Sequence, residues 1–127
     1  MKLHADPTQS LNTITAYGPG FIEVNRERFS HALLIMPDGP VHPWSVGSLE
    51  GIDESALVAL LQHEPEVVLL GTGQRQSFLS PRLVRSLSSR GIGLDAMDTR
   101  AACRTYNILM SEGRKVLAAL LPIDTGH

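Results

Sequence analysis

The sequence predicts a single α/β domain with an α+β tendency, and three observations carry that prediction. From residue 67 to 112, short apolar runs alternate with capped helical patterns, the signature of strands joined by helical crossovers. The first half instead holds short β-branched or apolar stretches separated by glycine and proline turns, which favours antiparallel pairing. Finally, 127 residues with 43% hydrophobic content can bury one ordinary core and are too few for two typical domains.

Taken in order, residues 1–10 are polar, contain Pro7 and carry no periodic pattern. They are read as a loose lead-in to a domain spanning 11–123, with 124–127 as a short tail. Asn12–Tyr17 and Phe21–Val24 flank Gly18-Pro19-Gly20 and form a hairpin. Phe29–Met36 is the next strand, apolar enough over Ala32–Ile35 to be buried on both faces, and Pro37-Asp38-Gly39-Pro40 ends it. Val41–Val46 is an edge strand or an ordered loop, because Pro43 lacks a central strand's amide; Trp44 then acts as a lid over the sheet edge.

Asp53 caps a helix that buries Leu57, Leu60 and Leu61 and is stopped by Pro65. Val67–Leu70 is a short buried strand broken by Gly71-Thr72-Gly73. Ser80 and Pro81 stand in the order of N-cap and first helical residue, and the helix they open buries Leu83, Val84 and Leu87 and closes at Gly91. Residues 92–97 form the next strand. Strand, helix, strand, helix in this order implies right-handed parallel crossovers.

Residues 98–121 are the most informative stretch. Asp98 or Thr99 can cap a helix, and Gly113 suits the left-handed position just past its end. Ala101, Thr105 and Ile108, with Ala102, Tyr106 and Leu109 beside them, predict a broad buried stripe. Arg100, Arg104, Asn107 and Ser111 stand at helical spacing as a polar ridge. Val116–Leu121 follows as an apolar strand.

Arg104-Thr105-Tyr106-Asn107, with Glu112-Gly113-Arg114 at fixed distance and Gly71-Thr72-Gly73 ending a preceding apolar strand, resembles the small Mth-type domain family. The likeness runs from about Ile14 to Pro122. That family includes the mitochondrial respiratory complex I assembly factor 3, the adipogenesis-associated Mth-domain protein and many bacterial proteins of unknown role. The resemblance implies three layers: a mixed central sheet, helices on one face and extra antiparallel strands on the other. It also implies a small, non-enzymatic domain that docks onto a protein partner.

A net charge of −2 argues against a general nucleic-acid binder, which needs a basic surface to neutralise phosphates. The charge is unevenly spread. Residues 1–66 hold three basic residues against nine acids, a formal −6, whereas 67–127 hold eight against four, a formal +4. Between Glu66 and Asp95 there is no acid, while Arg75, Arg82, Arg85 and Arg90 fall within that span. These arginines either form a positive face or are scattered and paired with acids of the first half. One cysteine, Cys103, excludes an internal disulfide framework and reads as a buried inert thiol. No apolar run approaches the roughly 20 residues that span a bilayer, and the first residues lack a signal core or an Arg-rich presequence; the expectation is a cytoplasmic protein that is not integral to a membrane.

The candidate binding residues are Gly71, Thr72, Gly73, Arg100, Arg104, Asn107 and Arg114. Glycines at the carboxyl end of a parallel strand let backbone amides approach an anion, or simply make a tight turn. A dinucleotide fingerprint is incomplete, since Gln76 stands where its third glycine belongs, and a structural tight turn is the preferred reading. Arginine forks suit carboxylate or phosphate; equally, Arg104 or Arg114 can tie the helix to a neighbouring loop. Tyr106 reads as a core ring with a satisfied hydroxyl. No two of the five histidines stand three or four apart, and no nucleophile elbow or Walker loop occurs, so neither catalytic residues nor a metal or cofactor is assigned. Two functions stand: a protein-binding, assembly-factor-like domain with an unidentified partner, or an enzyme or sensor that takes a small anionic ligand at Gly71–Gly73 and the arginine ridge.

Overall fold

A computed structural model describes residues 11–123. The expected lead-in and tail lie outside the described residues. A five-stranded mixed sheet forms the middle layer, ordered β5(His42–Pro43), β4(Leu33–Ile35), β8(Val116–Leu120), β6(Val67–Gly71), β7(Gly93–Met97). β6 runs parallel to both β7 and β8, and β4 is antiparallel to β8 and β5. A separate antiparallel sheet holds β1(Ile14–Gly18), β2(Phe21–Val24) and β3(Glu27–Phe29).

Strand order explains where the helices go. β6 connects to β7 on one side through α2(Pro81–Ser88), and β7 returns past β6 to β8 through α3(Thr99–Ser111). Two right-handed crossovers in opposite directions must use opposite faces of the sheet. Accordingly α2 packs with α1(Glu54–Ala59) over one core, built on Leu57, Leu87, Val68, Leu70 and Leu117. α3 lies on the other face, in the layer of the small sheet, over Leu69, Val116, Ala118 and Ile22. The three expected layers are present, with α3 sharing the layer of the antiparallel strands.

β8 illustrates how sequence fills both faces. Val116, Ala118 and Leu120 enter one core while Leu117, Ala119 and Leu121 enter the other, and all six are buried. A central strand covered on both sides needs this unbroken apolar run. The caps fall as the sequence indicates: Asp53, Ser80 and Asp98 accept from the amides of Ala56, Leu83 and Ala101 at 2.8, 3.3 and 2.9 Å. Asp98 rather than Thr99 is therefore the cap of α3. At the other end Gly113 takes φ +82°, Arg114 N–H reaches Leu109 O and Gly113 N–H reaches Met110 O, the paired closure that a left-handed glycine permits.

Three expectations are corrected. The single strand expected over Phe29–Met36 is two, because Ser30-His31-Ala32 carries the chain from the small sheet to the large one. The third strand of the small sheet, Glu27–Phe29, follows a turn in which Asn25 and Arg26 have φ of 50° and 73°; exposed Glu27 and Arg28 hide it from hydrophobic patterning. The helix expected from Asp53 to His63 is α-helical only to Ala59 and tightens into a 3₁₀ turn over Leu60–His63, ended by Glu64 at φ 55° before Pro65. The ambiguous stretch around Pro43 is a two-residue edge strand, and Trp44 is buried against the core beside it.

Candidate functional site

α3 presents different chemistry on each side. Its buried side runs through Thr99, Ala102, Cys103, Tyr106 and Met110, so the buried stripe is displaced from the one expected through Ala101, Thr105 and Ile108. Apolar residues cover more of this helix than one sheet can bury, and Ile108 is left 57% exposed. The outward ridge is consequently Arg100, Arg104 and Ile108.

The Arg104–Asn107 run proves to be a fastening. Tyr106 Oη donates to Asn12 O at 2.7 Å from a buried position. The Asn107 side-chain amide accepts from Ile14 N–H at 3.0 Å and donates to Ile14 O at 2.8 Å, taking both backbone groups of one β1 residue. Arg104 Nη1 donates to Tyr17 Oη at 3.0 Å, which raises the guanidinium pKa further. Three motif residues thus clamp the segment 12–17 onto α3, and Asn107 has its amide engaged within the fold. Asn12 extends the clamp by donating to Met36 O and Gly39 O, both at 2.8 Å; sequence patterning gave no signal for this residue.

The Gly71-Thr72-Gly73 turn sits between the carboxyl ends of β6 and β7, where crossovers to opposite faces open a crevice in many α/β proteins. Here the crevice is stitched shut. Thr99 Oγ1 accepts from Gly73 N–H at 2.8 Å and donates to Leu121 O at 2.7 Å. Thr99 N–H donates to Gly73 O at 2.9 Å, and Thr72 N–H to Met97 O at 2.8 Å. Gly71 is required by close approach, since a Cβ there would stand 2.8 Å from Thr99 Oγ1 and 3.1 Å from its Cα. Gly73 is required by its φ of +95°. An open cleft of about 550 Å³ beside the turn is lined by Gly20, Ser48, Thr72, Gln74, Pro122 and other residues of which none is charged. The Gly73 amide is already occupied, and Arg100, which stands behind Gln74, does not line the cleft.

Arg114 is also engaged. Its Nε lies 3.2 Å from Glu66 Oε1, which accepts from Lys115 N–H at 3.0 Å as well. These contacts, the Lys115 amide first, hold the Glu66 carboxyl below its ordinary range. This is the one ion pair among the described residues, so Arg75, Arg82, Arg85, Arg100 and Arg104 meet no carboxylate there. Arg100 Nη1 donates instead to Gln74 Oε1 at 3.1 Å, bridging α3 to the glycine turn. Cys103 is buried, and burial pushes its thiol up to about 12. No group of three metal-ligating side chains comes together among the described residues, and no described helix is long and apolar enough to cross a membrane.

Comparison with known proteins places this geometry in context. The chain is similar to NADH dehydrogenase [ubiquinone] 1 alpha subcomplex assembly factor 3 of Bos taurus, 39% identical over 109 residues, covering 84% of this chain and 58% of that protein. It thus spans about three-fifths of the curated relatives of this kind. A crystal structure of a Bordetella parapertussis protein matches with a TM-score of 0.85 and 55% identity, over 89% of this chain and 97% of that one. The solution structure of a Bordetella pertussis protein described as a Mth938-like domain gives 0.82 and 47%, over 98% and 94%. The model of the family described as "protein of unknown function (DUF498/DUF598)" matches residues 14–121, nearly the whole described domain with its α3 clamp and closed glycine turn, and this chain belongs to that family.

Proposed function

We propose that this chain is a non-enzymatic, assembly-factor-like domain that docks onto a protein partner through the outward ridge of α3. The observation that supports this reading is the ridge itself: Arg100 and Arg104 meet no carboxylate among the described residues, and one turn beyond Arg104 stands Ile108, left 57% exposed. Arginine beside an apolar side chain is the composition of contact surfaces, where the guanidinium pairs with a partner's carboxylate and the apolar group is dehydrated. Tyr17 and Gln74 hold the two guanidiniums on the outside of the helix, so less side-chain entropy is lost on binding. The name of the vertebrate relatives, NADH dehydrogenase [ubiquinone] 1 alpha subcomplex assembly factor 3, adds the kind of work such docking serves, the building of a respiratory complex. The small-anion alternative is not favoured, because the glycine turn is closed by Thr99 and its cleft has no charged lining.

Deletion of the gene in its native host tests the role. The expected result is a reduced amount of an assembled membrane respiratory complex on native gels, restored by the wild-type chain and not by an Arg100→Glu, Arg104→Glu double variant. Unchanged complexes in the deletion strain would overturn the assembly-factor reading.

A further inference from the structure

Two histidines from different elements meet beside the β5 edge of the large sheet. His42 lies opposite Leu34 in the pairing of β4 with β5, so its side chain shares Leu34's face, that of the α1–α2 core. His63 ends the 3₁₀ turn that follows α1. The two ring centres are 5.5 Å apart, with the planes inclined by 34°. Spacing along one helix could not reveal this pair, because the fold alone brings its members together.

A cavity of about 110 Å³ lies at the pair, walled by Leu34, Met36 and Leu117, and Asp38 is the only Asp, Glu, Lys or Arg that lines it. Arg114 and Lys115 line an adjoining hollow, which shares Met36, Asp38 and His63, but not this cavity; Arg114 is paired there with Glu66. The charge of the cavity therefore favours a cation. Imidazole nitrogen and carboxylate oxygen are the donors of zinc and its neighbours in the first transition row. Two imidazoles sharing one such ion at about 2.0–2.1 Å, with an angle of about 110–120° between the bonds, hold their ring centres roughly 5–5.5 Å apart. The observed separation lies at that distance. The His31 ring lies 3.0 Å from Ala32 O, whereas no hydrogen bond to a described residue engages either ring of the pair, which leaves their nitrogens available.

We propose that this cavity binds one divalent ion of the zinc class, held by the imidazoles of His42 and His63 and the carboxylate of Asp38, with water completing the shell. As the chain stands the three donors do not form a closed cluster. His42 and Asp38 are both exposed, so side-chain rotation carries them to the ion. The ion braces the two-residue edge strand against the 3₁₀ turn, and binding raises the stability of the fold with occupancy. The site is separate from the α3 ridge and stands without it.

The probe is zinc sulfate, titrated into the untagged full chain with its histidine rings ¹⁵N-labelled. The ring signals of His42 and His63 should respond together and saturate at one equivalent, with a rise in melting temperature. His42→Ala, His63→Ala and Asp38→Asn should each weaken binding by about tenfold or more. A control chain with His4→Ala, His31→Ala and His127→Ala should bind as wild type does. His42→Ala, at an exposed position of an edge strand, carries the test if His63→Ala does not fold. Absence of saturable binding, any of the three variants within about threefold of wild type, loss of binding in the control chain, or an equal response to magnesium would overturn the proposal.

Discussion

Replacing Thr99 with valine tests the closed glycine turn most sharply. The two side chains have nearly the same shape, but valine cannot accept from Gly73 N–H or donate to Leu121 O, which stand 2.8 and 2.7 Å from Thr99 Oγ1. Thr99 is fully buried, so water cannot replace either bond. Each buried group left unpaired costs about 1–3 kcal/mol, giving a total of about 2–6 kcal/mol. A domain of this length loses about 3–5 °C of melting temperature per kcal/mol, so a fall of roughly 6 °C or more is expected. Thr99→Ser keeps both bonds and removes one methyl, for about 1 kcal/mol. Urea unfolding followed by circular dichroism measures both. A valine variant no less stable than the serine variant would refute the argument that Thr99 spends its hydroxyl closing the crevice.

Four other outcomes follow from the same geometry. Asn107→Ala strands both backbone groups of Ile14 and should cost about 1–3 kcal/mol in urea unfolding, with loss of amide protection concentrated in β1. Cys103, raised by burial to about 12, should react with a disulfide reagent at pH 8 roughly 10³-fold more slowly in the native protein than in urea. Because that pKa is raised on folding, stability should be constant below the ordinary thiol value of 9.0 and fall as pH rises through about 12, a slope that Cys103→Ala removes. Glu66 behaves in the opposite sense: its lowered pKa gives a small stabilisation present above 4.5 and lost as pH falls below it, and Glu66→Gln should flatten acid unfolding in that range.

Much of this fold was legible in the residues, because much of it is written locally. Asp53, Ser80-Pro81, Asp98 and Gly113 mark helix ends through contacts within four residues, and the unbroken apolar run of β8 states its own burial on two faces. What escaped is long-range. Tyr106 meets Asn12 and Asn107 meets Ile14 across more than ninety residues, so a motif that reads as a binding ridge is half a clamp. Glu66 answers Arg114 from a loop whose position depends on the parallel pairing of β6 with β8. Ile108 was misplaced for a related reason: apolar residues surround much of α3, and only the packed sheet decides which of them face inward. Of the candidate site, the arginines were visible by spacing, whereas their isolation from acids and the exposure of Ile108 on the same ridge became visible only in three dimensions.

The most direct test is a crosslinked pull-down from the native host, comparing tagged wild type with a folded Arg100→Glu, Arg104→Glu variant by quantitative mass spectrometry. A protein captured in stoichiometric amount by wild type and lost by the variant, while the variant still unfolds cooperatively, is the predicted result. Capture that survives both substitutions would contradict docking through α3.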